Sequence, residues 1–191
     1  MGEHNVEQEL DEQKLQTFMK ALLEDLRALD YMLDNDLIES GVRRIGSEQE
    51  MFLVDRKLLP APVGVEVLQH AKDPRLTTEI ARFNLEANLP PLLLTGDCFG
   101  QMESELKEVL ARASASANHF GADVLLAGIL PTLRKSDLTI ENLTPAPRYH
   151  QLNDSVSKLR GGPFSIHIKG LDELQLTHDN IMMESCNTSF Q

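Results

Sequence analysis

Arg43-Arg44-Ile45-Gly46-Ser47-Glu48-Gln49-Glu50-Met51-Phe52-Leu53-Val54 is the stretch whose reading decides the fold. Its end is rich in strand-forming residues, and a charged turn, Asp55-Arg56-Lys57, leads to a short return, Leu58-Leu59, stopped by Pro60. The pattern predicts a hairpin. Residues two apart in a strand point to one face, so the Glu48 and Glu50 carboxylates stand side by side. Such a pair repels itself unless a cation lies between, and Mg2+ favours carboxylate oxygens together with waters and phosphates. The same spacing also suits the solvent-facing side of a hairpin, so both readings stand.

Further along, Phe83, Leu85, Ala87 and Leu89 alternate with Arg82, Asn84, Glu86 and Asn88, which predicts a strand with one oily and one polar face, ended by Pro90-Pro91. Glu86 lies on the polar face. Glu79 precedes it by seven residues, an odd separation that places the two on opposite faces of a uniform strand. They meet at one site only if the chain bends, bulges or begins its strand between them. Surface exposure is the plain alternative for Glu79.

Helices and strands alternate around these segments. Leu15, Phe18, Met19, Leu22, Leu26, Leu29 and Leu33 recur at helical spacing, predicting an amphipathic helix from Glu7 to about Asn35 that covers a sheet. A short helix is expected from Gly64 to about Ala71. A long one is expected from Cys98 to His119, with Asp97 as N-cap, Gly121 past its end, and Phe99, Met102, Leu106, Val109, Leu110 and Ala113 on its buried stripe. Val124 to Leu130 reads as a strand buried on both faces. Ser136 to Pro147 reads as a loop, Arg148 to Arg160 as helical, and Phe164 to Lys169 as a strand after the turn at Gly161-Gly162-Pro163. The expected class is α+β, with residues 1–40 as an N-terminal helical segment ahead of the strands and helices of 41–191.

Composition narrows the function. The 191 residues carry a formal charge of -12, which excludes nucleic acid or an anionic membrane as the main partner, since both require concentrated Lys and Arg. Two cysteines, Cys98 and Cys186, make no disulfide framework or zinc motif and read as reduced thiols in a cytoplasmic protein. No G-x-x-x-x-G-K-[ST] phosphate loop occurs. His167 and His178 lack ligand spacing or an adjacent acid, and Cys186 lacks a nearby base. The last residues, Asn187-Thr188-Ser189-Phe190-Gln191, read as the opening of a strand, from which an incomplete fold is expected.

Taken together, five elements resemble the N-terminal half of the glutamate–cysteine ligase family, in particular its carboxylate–amine ligase branch. They are Gly46-Ser47-Glu48-Gln49-Glu50-Met51-Phe52-Leu53-Val54-Asp55, the segment Glu79 to Asn88, Gly128-Ile129-Leu130-Pro131-Thr132, Arg148-Tyr149, and Glu184 to Gln191. The last departs from the family pattern, with Asn187 in place of glycine and Ser189 and Gln191 in place of histidines. The resemblance implies that 41–191 is the N-terminal part of a ligase catalytic domain with a glutamine synthetase-like fold, a mostly antiparallel curved sheet flanked by helices whose concave face holds metal ions and ATP. It implies Glu48, Glu50, Glu79 and Glu86 as metal ligands, Mg2+ (Mn2+ as a possible substitute) and ATP as cofactors, and Arg148 as a catalytic group gripping a carboxylate or phosphate. A helix-surface charge is the alternative for Arg148. The implied reaction joins a glutamate-like acid to an amino-acid-like amine through an acyl phosphate, in a possible homo-oligomer. Because family chains run on further, this chain alone is expected to be inactive. Two other classes remain open: a binding or scaffold protein that keeps the sheet, and a metal-dependent phosphotransferase or hydrolase using the same carboxylates.

Overall fold

Arg44–Val54 forms β1, an inner strand of a four-stranded antiparallel sheet ordered β2-β3-β1-β4. The computed structural model describes residues 11–162 and 164–178. The partners of β1 are β3 (Asn84–Leu93) and β4 (Asp123–Leu125), while β2 (Leu76–Thr78) lies on the far side of β3. The final four residues of β1, Met51 to Val54, are buried on both faces. This follows from their alternation. Met51 and Leu53 point towards the helices α2 (Gly64–Ala71) and α3 (Cys98–His119), where they pack with Val67, Leu85, Ala87, Val109, Ala113 and Ala117. Phe52 and Val54 point the other way, into a second core with Ala81, Phe83, Leu130, Leu138, Leu143 and Tyr149. Tyr149 belongs to α4 (Pro147–Arg160), so helices flank both faces and the α+β expectation holds.

The hairpin after β1 closes as a tight loop. Asp55 accepts hydrogen bonds from the Lys57 and Leu59 amides at 2.8 and 2.9 Å, and the return is a single bridge between Val54 and Pro60. Both α2 and α3 have the bounds read from the sequence. Gly64 opens α2 because its amide donates to the Arg82 carbonyl at 2.7 Å, an approach so close that an added Cβ would lie 2.7 Å from that oxygen. Asp73, 7% exposed, ties the entry to β2 onto α3. Arg75 holds it at 2.7 Å and Arg112 at 3.3 Å, and these guanidinium groups push its carboxyl down to about 2.

Several expectations are corrected. The amphipathic helix α1 (Glu12–Asp34) buries no residue and covers no sheet; periodicity shows that a helix has an apolar face but not what meets it. Pro90-Pro91 does not end β3. The register slips by one residue there, and pairing resumes at Ile45 with Leu92, since a bulge removes two positions that lack amide donors from the ladder. Phe83 precedes the strand and packs in the second core, on the opposite side from Leu85 and Ala87. Val124 to Leu130 yields only the three-residue edge strand β4, with Leu126 and Ile129 exposed. Phe99 is also exposed, and Asp97 occupies the N-cap position of α3 without a side-chain hydrogen bond. The Ser136 to Pro147 loop contains two short 3-10 turns, Lys135–Asp137 and Ile140–Asn142.

Beyond α4, β5 (Phe164–Lys169) pairs with β6 (Glu173–His178), a strand the sequence reading passed over, in a separate two-stranded sheet. There His167 meets the Glu173 carboxylate, an acid that sequence adjacency did not reveal. Cys186 and the strand expected around it lie outside the described residues. No described helix is long and apolar enough to cross a membrane. Replacing Gly64 with Ala is expected to lower stability by about 1–3 kcal/mol, because neither backbone can give way easily. Urea denaturation of the two proteins side by side measures it, with an unchanged slope and a lower midpoint.

Candidate metal centre

Pairing across the sheet brings the glutamates together. Glu50 on β1 lies opposite Glu86 on β3, and Glu86 lies opposite Thr77 on β2, so all three share one row. Between β2 and β3 the chain reverses. Glu79 therefore follows Thr77 by two residues on the same face, one step past the end of β2, and the odd separation from Glu86 no longer matters. Of the conditions expected from the sequence, two are met: the chain bends between the two glutamates, and β3 begins between them at Asn84. Carboxylate oxygens of Glu50, Glu79 and Glu86 lie within 4.8 Å of one another, all three side chains half-buried.

Two hydrogen bonds from the loop above hold Glu79 in place. The Thr144 hydroxyl donates to the Glu79 carbonyl at 2.5 Å, and the Thr144 amide donates to the Ile80 carbonyl at 2.8 Å. A bridge between Ala81 and Leu143 continues the contact. On the β2 side, the Tyr149 hydroxyl donates to the Thr78 carbonyl at 3.2 Å, and the Arg148 guanidinium reaches the same oxygen at 3.4 Å and also the Tyr149 hydroxyl. Arg148 and Tyr149 thus grip the backbone immediately before Glu79. This is a positioning contact, and the sequence pattern gave no sign of it because the partners are some seventy residues apart.

Glu48 shares the face but sits one row further out, opposite Asn88 and exposed, and the three-carboxylate cluster does not include it. It borders an open depression of about 670 Å3 lined by Gly46, Arg75, Asn88 and Pro90 among others. Towards the second core the cluster adjoins Asn84, which pairs with Phe52 and stands two residues before Glu86 on the same face. Asn84 is 2% exposed, and neither its side-chain oxygen nor its nitrogen has a hydrogen-bond partner. One Glu50 oxygen is buried and unpartnered too.

Electrostatics shows what this arrangement requires. Two full negative charges 4.8 Å apart repel by about 3–4 kcal/mol at an effective dielectric constant of about 20, and three such pairs cannot all be sustained without a proton or a cation. The strain appears at Glu79, whose carboxyl is pushed up to about 8. Burial is the main cause, followed by a hydrogen bond to Glu86 that only the protonated form donates, and then by the charges of Glu86 and Glu50. Tyr149 is shifted upward as well, by burial and by the charge of Glu79. The donor set fits a hard divalent cation: three carboxylates, an unpartnered Glu50 oxygen, and a buried amide oxygen on Asn84 beside them.

A pH dependence follows. Because the folded chain holds the Glu79 proton more tightly than the unfolded chain, that contribution to stability is full below pH 4.5 and is lost as pH rises through about 8. Without added metal, thermal midpoints are expected to fall across this interval, and Glu79→Gln is expected to flatten the fall. With a divalent cation the sign inverts. Affinity measured by calorimetry should rise with pH up to about 8, with proton release on binding that Glu79→Gln abolishes.

A family model for glutamate-cysteine ligase family 2 matches residues 44–175. Comparison with curated proteins and with solved structures found no match. The matched span runs from β1 into β6, takes in more than half of the chain and contains every residue of the carboxylate cluster, so the chain belongs to glutamate-cysteine ligase family 2.

Proposed function

We propose that this chain carries the metal-binding part of an ATP- and Mg2+-dependent carboxylate–amine ligase. Such an enzyme activates a glutamate-like carboxylate as an acyl phosphate and passes it to an amino-acid-like amine. The observation that supports the reading is the convergence of Glu50, Glu79 and Glu86 on one sheet face, in a chain of a family named for joining glutamate to cysteine. Bound among these oxygens, Mg2+, or Mn2+ in its place, supplies charge neutralisation to the phosphate oxygens of ATP.

The remaining roles belong to the protein. Glu50 and Glu86, on paired strands of a sheet packed on both faces, present their oxygens from rigid backbone, which holds a site more accurately than a loop does. Glu79 is the adjustable member: it keeps a proton when no cation is present and gives it up when one binds. Thr144, Arg148 and Tyr149 fix its backbone from the opposite side. The second core, with Phe52 and Phe83 at its centre, closes one end of the site to water, while the end beside Glu48 and Asn88 stays open as the approach for substrates. Arg148 in this scheme positions Glu79 through the Thr78 carbonyl.

Manganese titration followed by electron paramagnetic resonance tests the site. Saturable binding to the unsubstituted chain is expected, weakened at least about tenfold, or about 1.4 kcal/mol, by Glu50→Gln or Glu86→Gln, with a smaller loss for Glu48→Gln. Binding indifferent to Glu50 and Glu86 would sink the reading. In the full-length gene product, ADP release should require both an amino-acid carboxylate and an amine. Release without the amine would point to hydrolysis instead.

A further inference from the structure

Helix α1 stands apart from the metal centre. Its apolar residues Leu15, Met19, Leu22, Leu26, Leu29 and Leu33 follow one another in steps of four, three, four, three and four, the alternation that places residues at the a and d positions of a heptad. With Leu15, Leu22 and Leu29 at d, and Met19, Leu26 and Leu33 at a, no polar residue interrupts the seam. Phe18, Leu23 and Met32 widen it from the flanking g and e positions. All nine side chains are 39–58% exposed, and α1 buries no residue. A 23-residue helix closed by the Asp11 cap, whose carboxylate accepts from the Lys14 amide at 2.7 Å, is long enough for more than three heptads. In water, such a helix gains little from propensity alone and depends on burying its apolar face.

We propose that α1 pairs with α1 of a second copy of this chain as a two-stranded antiparallel coiled coil. Area supports a stable pair. Nine large apolar side chains, each about half exposed, present on the order of 800 Å2 per helix, the share each partner gives to a standard-size interface. Charge selects the direction. In a parallel pair each g residue meets the next e residue of the partner, which sets Asp25 against Asp30 twice, once on each side. In an antiparallel pair centred near Glu24, Leu15 faces Leu33, Met19 faces Leu29, and Leu22 faces Leu26. Phe18 then flanks Met32, Leu23 meets its own copy, and Gln16 lies beside Asp30, leaving one like-charge contact, Asp25 against Asp25. Opposed helix dipoles also favour this direction.

Sedimentation equilibrium of the full chain tests the pairing. A dimer is expected, and Leu22→Asp with Leu26→Asp is expected to convert it to a monomer. Because α1 buries no residue, the circular dichroism melt of the sheet body should remain; that control separates loss of pairing from loss of folding. Single added cysteines then test direction under mild oxidation, with the unsubstituted chain as background for Cys98 and Cys186. Leu23→Cys should give a cross-linked dimer, since the two copies meet at the dyad, and Leu33→Cys should not. A monomeric unsubstituted chain, a dimer indifferent to the aspartates, or cross-linking at Leu33→Cys but not at Leu23→Cys would each overturn the proposal.

Discussion

Three carboxylates within 4.8 Å of one another are the constraint on which this structure turns. Like charges disperse unless the backbone forbids it, and here two separate parts of the fold forbid it. Glu50 and Glu86 are paired across neighbouring strands, and moving either would break the sheet ladder. Glu79 sits on a turn, which is ordinarily the softest part of a hairpin, yet Thr144 and the Arg148–Tyr149 pair hold the backbone on either side of it. The two-sided burial of β1 has the same consequence. With Met51 and Leu53 packed against α2 and α3, and Phe52 and Val54 packed under the 130–149 segment, the strand cannot slip register to relieve the repulsion.

Much of this was legible in the sequence, and the parts that were not share a cause. Alternation and helical periodicity are local signals, so α2 and α3 were readable to their end residues, and the polar face of Glu86 was readable too. Whether Glu79 joins Glu86 depends on the chain reversing after Thr78, which no periodicity encodes. It follows instead from Ile80, Ala81 and Phe83 being needed in the second core. The same dependence on distant partners hid Thr144, whose hydroxyl acts sixty-five residues away in sequence. Glu48 is the opposite case. Its i, i+2 relation to Glu50 promised a shared site, and the two do share a face, but the cluster forms along the row that crosses the strands, and Glu48 is one row out.

Arg148 shows how chemistry and position divide. A guanidinium is suited to grip a carboxylate or phosphate in two-point fashion. Here it lies over the Tyr149 ring, 4.4 Å from the centroid, and spends contacts on Thr78 and the Tyr149 hydroxyl. Those contacts bear on Glu79 by fixing the backbone immediately before it.

Asn84 remains the strongest indication that the cluster is built for a ligand and not merely tolerated. An amide 2% exposed with neither atom hydrogen-bonded forfeits about 1–3 kcal/mol per unsatisfied group, and folded proteins leave few such groups. A leucine would fill the position beside Phe52 and Phe83 without that penalty. The neighbouring Glu50 oxygen, also buried and unpartnered, carries a similar one, and the two are adjacent on one face. The Asn84 nitrogen is a donor that a carboxylate could accept from, yet no hydrogen bond joins it to the Glu50 oxygen. A small cation taking oxygen from Glu50, Glu79 and Glu86 would relieve the repulsion among them and give the unpartnered Glu50 oxygen a partner.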